Sequence, residues 1–260
     1  MAEFDFGDRV VQINQNSLQS KCDTCPIHNR TMCAFAGEDA ARELAMISRT
    51  RRISAGQTIV TEQDSLDFVG NVVSGVVKLS KTLEDGRQQI VGLLFPSDFM
   101  GHIFSDHTRF AYEAASDVEI CVFDRKAFET LVQNNPEIQH ELLLKVLTEL
   151  DATREWMVLL GCQNARERIA SFLLMLLRRS LQTGCPKEDL PPNPTIRFPI
   201  NRKNIALFLG TTIETISRQI QSMSKARILK IIDGNTFEII NPGRLAKMAN
   251  HEEWLEDYPV

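Results

Sequence analysis

The 260-residue chain sets 29 Lys and Arg against 34 Asp and Glu, a formal net charge of -5, which excludes a uniformly basic coat for nucleic acid. Its length suits one large domain or two smaller ones and can bury a core without disulfide staples. The first twenty residues are charged and lack an apolar run, and the longest apolar stretch, Phe172 to Leu177, is far too short to span a bilayer. A soluble, cytoplasmic protein with no membrane partner is expected, its six cysteines serving as reduced thiols, metal ligands or redox sensors.

Near the start lies SKCDTCPIHNRTMCAF, in which Cys22, Cys25 and Cys33 have the spacing C-x2-C-x7-C. Three thiolates leave a cubane 4Fe-4S cluster one ligand short. The same stretch contains a competing set, because Cys22, Cys25, His28 and Cys33 would satisfy tetrahedral zinc as Cys3His.

From Ile53 to Phe123 short apolar runs alternate with glycine; six of the thirteen glycines fall between residues 56 and 101, and Asp85-Gly86 signals a hairpin. An antiparallel barrel or jelly roll is expected. In DVEICVFD, Val118, Ile120 and Val122 share one strand face while Cys121 lies on the other, opposite the main interior row. Cys121 could be an ordinary small apolar side chain, or the fourth ligand that the N-terminal trio lacks.

Asn135-Pro136 then opens a helix predicted over 136–162, roughly 40 Å long at about 1.5 Å per residue. Leu143, Leu147, Leu150 and Met157 form a heptad-like seam, whereas Ile138, Leu142, Val146 and Leu159 lie off it. One stripe is expected on the chain's own barrel and the other on a twin helix, making a homodimer. Asp151 and Arg154 interrupt the apolar run, and like charges meeting there would oppose pairing unless neutralised or turned outward. A second helix follows, then a loop of four prolines; Cys162 reads as a helix-end residue and Cys185 as a loop thiol.

Between Ile196 and Lys230 stand seven bases against one acid, Glu214, for a local charge of +6. Here NRKNIALFLGTTIETISRQIQSM reads as two short helices about a turn at Gly210, a helix-turn-helix, and KIIDGNTFEII as its wing. Glu214 and Arg218 point away from the isoleucine stripe, with Ser217 on its shoulder. They would face base edges, and Thr211, Thr212, Arg202 and Lys203 would hold phosphates. A structural alternative for Glu214 is a capping box, Thr211-x-x-Glu214.

The order of cysteine-rich arm, glycine-punctuated barrel, long helix and winged helix-turn-helix resembles the CRP/FNR family of bacterial regulators over nearly the whole chain. Glu214-Thr215-Ile216-Ser217-Arg218 matches the E-T-x-S-R pattern of the FNR branch, and the x7 gap before Cys33 is closer to its FnrL/FnrN-like members. The resemblance implies an α+β fold with an arm over 1–36, a β-roll over 37–135, a dimerisation helix over 136–162 and a DNA-binding domain over 163–260. It also implies an oxygen-labile 4Fe-4S cluster on Cys22, Cys25, Cys33 and Cys121, base reading by Glu214, Ser217 and Arg218 at palindromic TTGAT-type half-sites, and RNA polymerase as a partner, with the Phe95-Pro96-Ser97-Asp98 turn as one possible contact. Cyclic AMP is not expected, because Phe99-Met100-Gly101-His102 and FAYEAASD lack the glutamate and arginine pair that the cyclic-nucleotide branch uses. An electron-transfer protein or enzyme is disfavoured by the lack of a second cluster motif, a nucleotide-binding glycine loop or a nucleophile-base set.

Overall fold

The computed structural model describes residue 22, residues 24–182 and residues 193–251. Most of the expected 1–36 arm, the loop containing Cys185 and the end of the tail lie outside the described residues.

The glycine-punctuated region forms two four-stranded sheets, each antiparallel throughout. One runs in the order β1 (Ser48–Ile53), β8 (Val118–Asp124), β3 (Phe68–Ser74), β6 (Phe99–Met100); the other runs β2 (Thr58–Val60), β7 (Ala111–Ala114), β4 (Val77–Thr82), β5 (Gln88–Leu94). Alternating side chains fill the space between them, including Val72, Met100, Tyr112, Ile120 and Val122, all buried. The β4–β5 hairpin turns at Asp85-Gly86, where the Asp85 carboxylate accepts from the backbone N–H of Arg87 at 3.0 Å.

The outer face of the first sheet is covered by α1 (Glu38–Ile47), α2 (Arg125–Asn134) and the base of α3 (Pro136–Cys162). Phe123, Phe128 and Ile138 are fully buried there, each worth roughly 1.5–3 kcal/mol of apolar burial. Asp124 caps α2 by accepting from the N–H of Ala127 at 2.9 Å. Asn135 precedes Pro136 at the start of α3, but its side chain turns back and donates to the Leu131 carbonyl at 2.7 Å.

Helix α3 spans the predicted 27 residues. Its base residues Ile138 and Leu142 are buried, whereas Leu143, Leu147, Leu150 and Met157 are 56, 47, 42 and 68 % exposed. Val146 departs from the expectation that it faces the barrel: it is 54 % exposed, because after Leu142 the helix leaves the roll, and the off-seam stripe is buried again only at Leu159. Asp151 and Arg154 pair with each other at 3.0 Å on the exposed helix, so neither carries an uncompensated charge.

A further core joins the roll to the C-terminal elements. It gathers α4 (Ala165–Gln182), α5 (Arg202–Leu209) and α6 (Ile213–Lys225) with a three-stranded sheet, β10 (Leu229–Ile231), β11 (Thr236–Ile239), β9 (Thr195–Arg197), and with α7 (Pro242–Met248). Val76, Ile90, Leu93 and Phe95 of the roll belong to the same cluster, and Trp156 of α3 stacks on Phe208 of α5 at 4.1 Å. The turn from Phe95 to Asp98 is correspondingly not a plain exposed loop. The Arg179 guanidinium lies over the Phe95 ring at 4.2 Å and donates to Asp98 at 3.0 Å.

Strand β3 leaves no space for a side chain against β8 at Gly70, where an added Cβ would fall 2.3 Å from the Cys121 carbonyl oxygen. A backbone atom in mid-sheet cannot step aside. Gly70→Ala should therefore lower the melting temperature by several degrees, consistent with overpacking of about 1–3 kcal/mol, as read by circular dichroism; unchanged melting would refute the tight fit.

Candidate cysteine cavity and nucleic-acid interface

The cysteine stretch is shaped by two single 3-10 turns, His28–Arg30 and Met32–Phe35. Ile27, Thr31 and Met32 anchor it, all 2 % exposed or less, and Met32 joins the cluster formed by Leu44, Phe128 and Ile138. Held this way, Cys22, Cys25 and Cys33 open onto one cavity of about 100 Å³ together with Cys121, which sits in the middle of β8. Cys121 faces outward beside Phe123, while Ile120 and Val122 point into the roll, as the strand alternation predicts. No disulfide joins the five described cysteines.

Burial pushes the Cys121 thiol up to about 12, and the neighbouring Cys33, Cys22 and Cys25 add to the rise, against a hydrogen bond with Ser48. Cys33 is also raised, first by burial, against a bond with the Thr31 hydroxyl. Ligand thiols must lose their protons, so loading this site releases protons. The donor set fits a group with four separate attachment points. Among the described residues, no three His, Cys, Asp or Glu side chains gather as one metal ion would require. Asn71 also lines the cavity; it is 1 % exposed, and its Oδ1 is buried without a hydrogen-bond partner. His28 lies at the cavity with its ring Nδ1 3.2 Å from the Asn29 side chain.

On α3, one turn beyond the base, Lys145 donates from Nζ to the Arg30 carbonyl at 3.0 Å, tying the cysteine loop to the long helix. Sequence patterning alone points to neither Asn71 nor Lys145 as a functional residue. Each is a lone polar residue within an apolar run, FVGNVV and LLLKVL, and that interruption is the one signal available.

At the other end, α5 and α6 form the expected helix-turn-helix. Asn201 caps α5, and Gly210 ends it in the left-handed region at φ +59°. The cap of α6 is Thr212, which accepts from the Thr215 N–H at 3.2 Å. The Thr211 N–H instead bonds to the Ala206 carbonyl at 3.0 Å, so the Thr211-x-x-Glu214 capping box does not form. Glu214 is exposed, and its carboxylate is held below the usual range by its own backbone N–H and the Thr212 hydroxyl. It remains an anionic acceptor, as recognition of a cytosine amino group requires. Arg218 and Lys203 are exposed, Thr211 is half-buried and Thr212 exposed. Ile216, Ile220 and Met223 face the core.

Arg202 is expected to contact a phosphate, but the structure engages it elsewhere. It donates to Ser217 Oγ at 2.7 Å and to the Gly234 carbonyl at 2.8 Å, bracing the recognition helix against the wing. Ser217 is half-buried, with its oxygen held by that contact. Arg168, which no motif marks, donates to the carbonyls of Leu160 at 2.7 Å and Gln163 at 2.9 Å, at the end of α3. It also donates to Leu209 at 3.1 Å and Gly210 at 3.4 Å, in the turn of the motif.

A β-roll with a thiol-lined outer face, a long half-exposed helix and a winged helix-turn-helix together define a transcription regulator. Residues 50–135 match the cyclic nucleotide-binding domain and residues 167–248 the Crp-like helix-turn-helix domain. The transcriptional activator protein FnrL of Cereibacter sphaeroides is 39 % identical over 215 residues, 83 % of this chain and 86 % of that protein. The nitrogen fixation regulation protein FixK of Bradyrhizobium diazoefficiens is 32 % identical over 240 residues, 92 % of this chain and 98 % of that one. The structure of FixK2 from Bradyrhizobium japonicum superposes with a TM-score of 0.70 at 27 % identity, covering 78 % of this chain and 97 % of that one. The chain belongs to the CRP/FNR family, whose members bind DNA and form homodimers; it is a DNA-binding regulator and not an enzyme.

Two measurements check this geometry. With iodoacetamide at about pH 8, peptide mapping of cofactor-free protein should find, among the described cysteines, exposed Cys162 alkylated first and Cys121, whose thiol burial pushes up to about 12, last. By fluorescence anisotropy, Arg218→Ala should weaken specific duplex binding by about 1–3 kcal/mol with unchanged melting, whereas Arg202→Ala should lower both affinity and melting temperature.

Proposed function

We propose that the chain is an oxygen-responsive transcriptional activator whose Cys22, Cys25, Cys33 and Cys121 hold an oxygen-labile 4Fe-4S cluster. The observation that carries this reading is the shared cavity, where a strand cysteine completes a trio from a separate loop. The bound cluster would supply a centre that reacts with oxygen. The residues themselves do the coupling. Cys121 belongs to the roll and the other three to the loop, so a group held by all four ties loop to sheet. The Lys145 bond to Arg30 and the packing of Met32 beside Ile138 and Leu142 then carry the loop's position to α3.

The exposed Leu143, Leu147, Leu150 and Met157 offer the seam for a second copy. A dimer engages both halves of a palindromic TTGAT-type site through Glu214, Ser217 and Arg218; a monomer loses the second half's binding energy. Thr211, Thr212 and Lys203 set register on the phosphates, and Arg202 keeps wing and helix aligned. RNA polymerase is the partner of the DNA-bound dimer, and the protein acts in the cytoplasm. Cyclic AMP is not the ligand on this reading, because 99–102 lacks the glutamate and 110–117 the arginine pair with which the cyclic-nucleotide branch holds it.

The competing zinc reading needs four donors about 2.0–2.3 Å from one centre. Cys121 lines the same cavity as the trio, and the His28 ring lies beside the Asn29 side chain, which supports the cluster reading over zinc held by the loop alone. Protein purified without oxygen should be brown, with broad absorption near about 400 nm that bleaches in air. Sedimentation should shift from dimer toward monomer, and affinity for the palindromic duplex should fall. A colourless zinc protein, or DNA affinity unaltered by air, would overturn the proposal.

A further inference from the structure

Asn71 is the one member of the thiol cavity that neither the roll's packing nor the ligand set explains. It sits in β3 directly opposite Cys121 of β8, in an antiparallel register that pairs Gly70 with Val122 and Val72 with Ile120. Gly70 and Val72 turn toward the roll interior, so Asn71 and Val69 face outward into the same layer as Cys121 and Phe123. Directly opposed side chains on one sheet face have their Cβ atoms about 4.5–5.5 Å apart, within reach of a side-chain amide and a sulfur. The residue is 1 % exposed, lines the cavity with the four cysteines, and its Oδ1 is enclosed without a hydrogen-bond partner. Buried polar groups in native proteins are almost always satisfied, so a side chain that leaves one unsatisfied marks a position kept for something other than packing. An apolar residue at this position would avoid the penalty altogether, and Val69 and Val72 on the same strand show that the strand accepts one.

We infer that the Asn71 side-chain amide is an outer-sphere hydrogen-bond donor to the sulfurs of the group held at Cys121. Thiolates and sulfides only accept, whereas an amide presents two N–H donors on one edge and a carbonyl on the other. The contact therefore uses the Nδ2 edge, to which no described residue is hydrogen-bonded; the sulfurs cannot satisfy Oδ1, and its burial is a standing cost of keeping the donor at this place. Donation to a ligand sulfur withdraws electron density from it and fixes the ligand's orientation; such partners tune cluster potential and lability. Thr31 and Ser48 hydrogen-bond Cys33 and Cys121 from the loop and from β1. Their own hydroxyl protons go to the His28 and Ala45 carbonyls, whereas Asn71 brings N–H donors from the central strand of the sheet.

This inference rests on the cluster reading, and the experiment separates the two. Wild type, Asn71→Leu and Asn71→Ser are compared as full chains, reconstituted without oxygen. Without cofactor, Asn71→Leu should melt at or above the wild-type temperature, since an unsatisfied amide is replaced by an apolar group of similar size. With cofactor, its absorption near about 400 nm should bleach about tenfold faster in air, and its midpoint potential should be more negative. Asn71→Ser, which keeps a shorter donor, should lie between the two. If Asn71→Leu bleaches at the wild-type rate with the wild-type potential, or if its cofactor-free form is destabilised as strongly as its loaded form, Asn71 is a packing residue and the inference is wrong. Wild type that takes up no chromophore would sink the cluster reading first.

Discussion

The sensory end of the molecule depends on how closely β3 lies against β8. At Gly70 there is no room for a side chain, and that approach sets the backbone of Cys121. Strand alternation does the rest, sending Ile120 and Val122 into the roll and Cys121 out to meet the loop. A slip of one residue in this pairing would point the thiol into the apolar interior and bring Ile120 or Val122 to the cavity instead. The buried row on the inner face prevents that slip, so the core of the roll and the chemistry on its outer surface are specified by the same register.

Features governed by local periodicity are legible in the amino-acid sequence. Asn135-Pro136 marks the start of the long helix, the alternation in DVEICVFD places Cys121 on its correct face, and glycine at 210 marks the turn of the DNA-binding motif. Contacts between distant segments are not legible in the same way. Two adjacent threonines are equivalent as caps on paper; the choice of Thr212 follows from Gly210 in the left-handed region and from the Thr211 N–H bond to Ala206. Arg202 reads as one more base in a basic run until Gly234, 32 residues away, is seen beside it. Val146 reads as a barrel-facing residue because helix periodicity states which residues share a face, not where the helix departs from its support.

The loop and the long helix form one mechanical unit rather than two neighbouring parts. Met32 is fully buried beside Ile138 and Leu142, so the helix base and the loop share packed atoms as well as the Lys145 hydrogen bond. Close-packed interiors transmit displacement because they hold few voids to absorb it. Any rearrangement of the loop is therefore felt first at the root of α3, where the helix is still held, and from there along its projecting length.

Arg168 sits at the far end of that lever. One guanidinium grips carbonyls from the end of α3 and carbonyls from the turn of the helix-turn-helix, so the two elements are tied backbone to backbone. In a two-fold assembly the distance between recognition helices must match the rise of about one turn of DNA, roughly 34 Å. In a dimer paired along α3, as proposed above, the clamp would couple that distance to the helix itself. The protein would then carry a calliper, the spacing of operator halves set in part by a half-buried side chain that holds backbone to backbone.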